Sequence, residues 1–173
     1  MLVEVVTDIH AALVAVEGMG ISAFGINCNT GPELMEKTVE KLSRVCSLPI
    51  SIVPNAGQPV SEDGKTCYKL EPENMANYVE HFVKDFGVSI IGGCCGTTPE
   101  HIRAISKRLK GLVPQTREVE KKVFVSGPQE AIPLDSSESL ISVGERLNVR
   151  GSKKVREAVE SDDEMEMGVL EEV

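Results

Sequence analysis

The sequence predicts an α/β fold in which helices cover a parallel sheet. A short apolar, β-branched run followed by a loop and an amphipathic helix pattern occurs three times before Gly111, and one further helix pattern precedes the first of these units. Parallel strands need crossover connections, and the helices between the apolar runs supply them.

The first helix and strand are indicated by local signals. Thr7 and Asp8 can cap a helix that ends at Gly18. The run 21–28 (ISAFGINC) predicts the first strand, which closes on a cysteine. Thr30–Glu33 then has the Thr-x-x-Glu form of a capping box, so a second helix should begin there.

The middle of the chain repeats the same order. The run 49–53 (PISIV) predicts the second strand, and EDGK at 62–65 predicts the tight turn of a small hairpin. Apolar residues at helical spacing over 75–86 predict the next helix, which Gly87 should end. The run 88–91 (VSII) predicts the third strand of the parallel sheet.

The last helix of this series should begin at Thr97 or Thr98, with Pro99 in its first turn. After Gly111 the pattern changes, because 112–138 is richer in Pro, Ser and charged residues. This segment is interpreted as a linker with one short strand at VFV.

A new apolar run at 140–143 (LISV) and a helix pattern beginning at 154–159 start a further unit. We therefore expect a partial domain over 1–111, a linker over 112–138 and the beginning of a second domain over 139–173.

The net charge of −9 is concentrated at the C-terminus. The segment 157–173 contains eight acidic residues and no basic one, which leaves 19 of the 27 acidic residues against all 18 basic residues elsewhere. A nearly neutral body with an acidic tail gives no electrostatic basis for nucleic-acid binding. The tail is either part of a helix, with Met165, Val169 and Val173 at roughly helical spacing, or a disordered acidic segment.

The cysteine count and the hydropathy indicate a cytoplasmic protein. The first residues, 1–6, carry Glu4 and no basic run, so they do not resemble a secretion signal. No apolar run approaches the roughly 20 residues that span a bilayer, so no membrane association is expected. Five cysteines without a signal peptide are typical of a reducing compartment, where clustered thiols indicate metal binding or catalysis.

Three of the cysteines follow strands of the predicted sheet. Cys28 ends the first strand, and Cys94 and Cys95 follow the third. Since the carboxyl ends of parallel strands meet at one edge, these thiols should lie together. Three thiolates with one open position describe a catalytic zinc site better than a structural one. The helix that follows Cys95 should direct its positive end towards the thiolates and lower their pKa.

The alternative is that these cysteines pack as small hydrophobic side chains. That interpretation is favoured for Cys46, on the buried face of its helix, and for Cys67, in the polar segment. For the adjacent pair Cys94 and Cys95, between glycines and matched by another cysteine at a strand end, metal binding is favoured.

Three motifs resemble the homocysteine S-methyltransferase family in order and spacing: GINC at 25–28, PNAGQP at 54–59 and GGCCGTTPEHI at 92–102. The resemblance covers about residues 5–111. It implies the C-terminal portion of a (β/α)8 TIM barrel, with the last three of its strands.

The resemblance also implies a chemistry. By it, Cys28, Cys94 and Cys95 bind the catalytic zinc, and Asn55 lies beside the zinc and the homocysteine; otherwise Asn55 is a turn-capping residue. Zinc would deprotonate the homocysteine thiol, which accepts a methyl group to give methionine.

The segment 143–154 (VGERLNVRGSKK) resembles the opening strand and loop of the pterin-binding domain of cobalamin-dependent methionine synthases. This implies methyltetrahydrofolate as donor and cobalamin, bound by another domain or protein, as methyl carrier. Asn148 matches a residue at the pterin pocket; the alternative is an ordinary polar loop residue. Related corrinoid methyltransferases share these folds, so the substrate pair stays open.

By the same resemblance the chain is a fragment, since five barrel strands and most of the second barrel are missing. Three hypotheses follow. The chain is a segment of a larger enzyme, or a zinc-binding half-barrel completed by a partner chain that supplies the missing strands, or an inactive truncated product.

Overall fold

A computed structural model describes residues 7–119, 122–134, 150–153, 156, 157 and 160. The chain divides into two compact units, Met1–Leu134 and Asp135–Val173. Asn148, the strand predicted at 140–143 and the acidic segment after Glu160 lie outside the described residues. The domain bounds expected at 111 and 138 stay a prediction.

The helices and strands of the first unit follow the predicted order. They are α1 (Ile9–Glu17), β1 (Phe24–Asn27), α2 (Pro32–Val45), β2 (Ile50–Val53), β3 (Pro59–Glu62), β4 (Lys65–Tyr68), α3 (Pro72–Phe86), β5 (Ile90–Ile91), α4 (Pro99–Leu109), β6 (Phe124–Ser126) and β7 (Ala131–Pro133).

The parallel sheet is confirmed. Its strand order is β1-β2-β5, and both pairings are parallel. Phe24 lies opposite Ile50 and Asn27 opposite Val53, so β1 and β2 end together. Ile52 lies opposite Ile91, which brings the end of β5 to the same edge. The fold is therefore α/β, and the complete barrel stays a proposal.

The register of β1 against β2 depends on a glycine. A Cβ atom at Gly25 would lie 2.0 Å from the backbone oxygen of Ser51, far inside van der Waals contact. A side chain at this position would push the strands apart and displace the end of β1.

The core lies between this sheet and the helices. One cluster joins α1, α2, β2 and α3, with Val39, Leu42, Ile52 and Phe82 at 0% exposure. A second cluster joins α3 and α4 through Met75, Ala76, Val79 and Ile105. Together these clusters pack the helices against the sheet.

Two helix ends differ in how well the sequence predicts them. Asp8 caps α1, as predicted, because its carboxylate accepts the backbone N–H of His10. The capping box at Thr30–Glu33 is wrong, since Gly31 is the N-cap of α2. Pro32 occupies the first helical position and Glu33 the second, one residue short of the position from which a capping box closes.

Two hairpins accompany the sheet. The predicted turn at 62–65 is confirmed, because Asp63 and Gly64 have φ of +49° and +74° between β3 and β4. In the predicted linker, one strand was expected and two are present, since β6 pairs antiparallel with β7. Ser126, at the end of β6, donates its hydroxyl to the Ala11 carbonyl of α1.

Among the described residues, no helix is both long enough and apolar enough to cross a membrane.

Candidate metal centre

Three thiols meet at the carboxyl edge of the parallel sheet. The sulfur of Cys28 lies 3.6 Å from that of Cys95, and the sulfurs of Cys94 and Cys95 lie 3.8 Å apart. All three sulfurs lie within 4.8 Å of one another. Ligands that bind one zinc tetrahedrally at about 2.3 Å are about 3.8 Å from each other. The three thiols that the sequence places at strand ends therefore lie together, at separations that fit one zinc ion.

The backbone at Cys28 is held in an uncommon conformation. Cys28 and Asn29 have φ of +58° and +63°, in the left-handed region that non-glycine residues seldom adopt. The Cys28 N–H donates to the Val53 carbonyl, and its own carbonyl accepts from Thr30 N–H. These bonds fix the turn after β1 against the end of β2, and such strain is typical of functional sites.

The loop after β5 is bound to the same place. Cys94 N–H donates to the Pro54 carbonyl, and the Cys95 carbonyl accepts from Ala56 N–H, both at 2.8 Å. Gly96 has φ of +75°, a conformation that favours glycine, and this explains why a glycine follows Cys95. At Gly93 a Cβ atom would lie 2.4 Å from the Thr97 side chain, so that glycine makes room for a neighbour.

Asn55 joins the two cysteine loops. Its side chain is 2% exposed, and its Oδ1 atom accepts the Cys95 backbone N–H at 3.1 Å. Its own backbone N–H donates to the Thr30 carbonyl at 3.0 Å. The geometry gives Asn55 a role in bringing Cys28 and Cys95 together, and its contact with substrate stays a prediction.

The metal-free thiols influence each other's ionisation. The Asn29 backbone N–H, and then the thiols of Cys94 and Cys95, lower the pKa of Cys28. The pKa of Cys94 is raised, first by Cys28 and then by desolvation. The pKa of Cys94 rises in the metal-free chain because a neighbouring thiol that ionises first opposes a second negative charge, and the contribution of the following helix stays a prediction.

The other two cysteines lie away from this cluster. Cys46 is fully buried in the core, and burial raises the pKa of its thiol. Cys67 lies on β4, opposite Val60 of the hairpin. The burial of Cys46 agrees with the packing interpretation, and that interpretation stays a prediction for the partly buried Cys67.

Sequence reasoning missed two residues that contact the segments around the cluster, Tyr68 and His101. Desolvation, and then the Cys95 thiol, raise the pKa of Tyr68, whose side chain packs on Gly96. His101 is 6% exposed, and its Nδ1 atom accepts the Thr98 backbone N–H while Nε2 donates to the Leu70 carbonyl at 2.7 Å. His101 stands three residues after the N-cap, where Glu or Gln usually closes a capping box, and that spacing was the available signal. No local pattern indicates Tyr68.

Comparisons with known proteins found similarity over most of the chain. A family profile described as Homocysteine S-methyltransferase matches residues 4–109. Two proteins named Methionine synthase are each 41% identical, one from Mycobacterium tuberculosis (strain ATCC 25618 / H37Rv) over 157 residues and one from Mycobacterium leprae (strain TN) over 162 residues. Each match covers 91% of this chain and 13% of the relative, so the chain spans about an eighth of the length of these relatives.

Proposed function

The chain belongs to the homocysteine S-methyltransferase family, and we propose that Cys28, Cys94 and Cys95 bind a zinc ion at which homocysteine accepts a methyl group to become methionine. The sulfur–sulfur distances of 3.6 and 3.8 Å carry this proposal, because they match one tetrahedral ion. Zinc, when bound, would hold a substrate thiol as its thiolate in the remaining position.

The residues of the chain have definite tasks in this proposal. The strained turn at Cys28 directs its sulfur towards the loop after β5. Asn55 holds the backbone of Cys95 and so fixes the second and third ligands relative to the first. Its place beside the cluster also suits contact with the bound substrate.

We assign the methyl group to methyltetrahydrofolate, with cobalamin as carrier on another domain or protein. Support comes from the relatives named Methionine synthase, whose similarity covers 91% of the chain, whereas the family profile ends at residue 109. The segment 143–154 would then begin a pterin-binding domain, with Asn148 at the pterin. The free thiols of the cluster would need a reducing, cytoplasmic environment.

A partner that completes the barrel is the second candidate, and the sheet edges favour it. In the part of the chain that the structure describes, β1 and β5 pair only with β2. Ile90 of β5 is 46% exposed beside this edge. Unpaired strands of this kind bind further strands, which the rest of a longer polypeptide or a separate chain would supply.

The test uses a protein that contains this chain together with the remaining barrel strands. Cys94→Ser should abolish zinc binding and methyl transfer to homocysteine, whereas Cys46→Ser, outside the cluster, should retain both. Full methyl transfer by Cys94→Ser would overturn the assignment of the site.

A further inference from the structure

The thiol cluster is built from sulfur ligands. The sulfurs of Cys28, Cys94 and Cys95 all lie within 4.8 Å of one another, and among the residues that the structure describes no histidine or carboxylate joins this group. Such a site favours soft ions over hard ones, because thiolate sulfur is a soft ligand. The cluster therefore suits a thiophilic ion whose coordination is complete with three sulfurs.

The separations of the sulfurs suit a three-coordinate ion as well as a tetrahedral one. Sulfurs bound tetrahedrally to zinc lie about 3.8 Å apart. The sulfurs of Cys94 and Cys95 lie 3.8 Å apart, whereas those of Cys28 and Cys95 lie 3.6 Å apart. Trivalent arsenic binds three sulfurs as a pyramid with angles smaller than tetrahedral, because its lone pair occupies the fourth direction. Its sulfurs lie closer together than those around zinc, and it needs no fourth ligand.

The backbone holds the cysteine loops in place without any ion. The Cys28 N–H donates to the Val53 carbonyl at 2.9 Å, and the Cys94 N–H donates to the Pro54 carbonyl at 2.8 Å. Both loops are thus bound to the end of β2. Because the loops are already ordered, little conformational entropy is lost when the three sulfurs bind one atom.

A small molecule from solution can reach the thiols of the cluster. Cys95 is exposed and Cys28 and Cys94 are partly exposed, whereas Cys46 is fully buried in the core. Arsenous acid, As(OH)₃, is small and uncharged at neutral pH, so it needs no charged residue to attract it. Cys67 is also partly exposed, but it lies outside the group of three thiols and can form only one bond to arsenic.

We propose that Cys28, Cys94 and Cys95 form a binding site for trivalent arsenic, which takes the place of zinc and blocks the site. Each thiol loses its proton and forms a sulfur–arsenic bond, while one arsenic–oxygen bond breaks and its hydroxyl group leaves as water. Three thiols and one arsenous acid thus give one tris-thiolate and three waters, without a change of oxidation state. The inference rests on the ligands assigned in the proposed function, although no zinc needs to be bound.

The test is native mass spectrometry of the dialysed, metal-free chain after addition of sodium arsenite. The mass of the adduct reports the number of sulfur–arsenic bonds, because arsenic bound by two thiols retains a hydroxyl group and is heavier by one water. Cys28→Ser removes one ligand, and Cys67→Ser is the matched control outside the cluster. Competition with a small dithiol measures the affinity, both in buffer and in concentrated urea.

The unchanged chain and Cys67→Ser should each bind one arsenic atom without a hydroxyl group. Cys28→Ser should give the heavier adduct and bind arsenite about 100-fold or more weakly, because one of three linked bonds is lost. Urea should also weaken binding by the unchanged chain, since it removes the order of the loops. No adduct, a two-thiol adduct of the unchanged chain, or equal affinities in any of these comparisons with Cys28→Ser or with urea would overturn the inference.

Zinc binding by the same preparation separates this inference from the proposed function. Arsenite should release one zinc ion from the zinc-loaded chain for each arsenic bound, as measured with a chromogenic zinc indicator. Zinc binding without an arsenic adduct would overturn the inference and leave the proposed function standing. A three-thiol arsenic adduct on a chain that binds no zinc would support the inference and contradict the proposed function.

Discussion

The sulfur atoms of Cys28 and Cys95 lie 3.6 Å apart, although 67 residues separate them in the chain. Parallel pairing explains this proximity, because β1 and β5 flank β2 and end at the same edge of the sheet. The short distance is thus a consequence of the fold, and it places both thiols where one ion could bind them.

Asn55 should be needed for metal affinity. Asn55→Ala removes the acceptor of the Cys95 N–H, so Zn²⁺ affinity should fall by about 10–100-fold. Competition with a chelator measures this. The control is Asn74→Ala, at an exposed position of α3, which should bind zinc normally. Equal affinity of the two variants would contradict the role given to Asn55.

Gly25 should be required for the register of the sheet. Gly25→Ala places a methyl group 2.0 Å from the Ser51 oxygen, so the free energy of unfolding should fall by about 1–3 kcal/mol. Urea denaturation measures the change. Gly18→Ala is the matched control, since a Cβ atom there has no neighbour within 4 Å and φ is −63°. A Gly25 variant as stable as the control would show that β1 adjusts easily.

His101 should stabilise the fold through its two hydrogen bonds. His101→Ala leaves the Thr98 N–H and the Leu70 carbonyl without these partners, which should cost about 1–3 kcal/mol of unfolding free energy. His81→Ala, which removes a histidine 40% exposed beside Asp85, should cost less than about 1 kcal/mol. Similar losses of unfolding free energy in the two variants would contradict the stabilising role given to the hydrogen bonds of His101.

The pH dependence of alkylation should differ between two cysteines of the metal-free chain. A lowered pKa gives Cys28 more thiolate at a given pH, and a raised pKa gives Cys46 less. Iodoacetamide labelling, followed by peptide mass spectrometry, should therefore increase at lower pH for Cys28 than for Cys46. The reverse order would show that the environments of these thiols are assigned wrongly.

Elements with local signals were predictable from the sequence. The left-handed glycine at Gly87 ends α3, and Asp63 with Gly64 forms the hairpin turn, because both depend on neighbouring residues alone. The start of α2 was not predictable in this way. The Thr-x-x-Glu pattern overlaps a Gly-Pro pair, and Pro32 fits the first position of a helix better than the interior of a capping box.

The candidate site also contains both residues that the sequence predicts and a neighbouring residue that it does not. Cys28, Cys94 and Cys95 could be grouped because parallel strands end at one edge, a rule that needs only the strand order. Tyr68 could not, because it packs on Gly96 only when the hairpin folds back over the loop after β5. Contacts of this kind depend on tertiary structure that no periodicity describes.

Zinc content of the purified, dialysed chain tests the central claim most directly. One zinc per folded chain is expected, lost in Cys28→Ser, Cys94→Ser and Cys95→Ser and retained in Cys46→Ser and Cys67→Ser. A chain that circular dichroism shows to be folded but that binds no zinc, or full zinc content in any of the first three variants, would contradict the assignment of these cysteines as one metal centre.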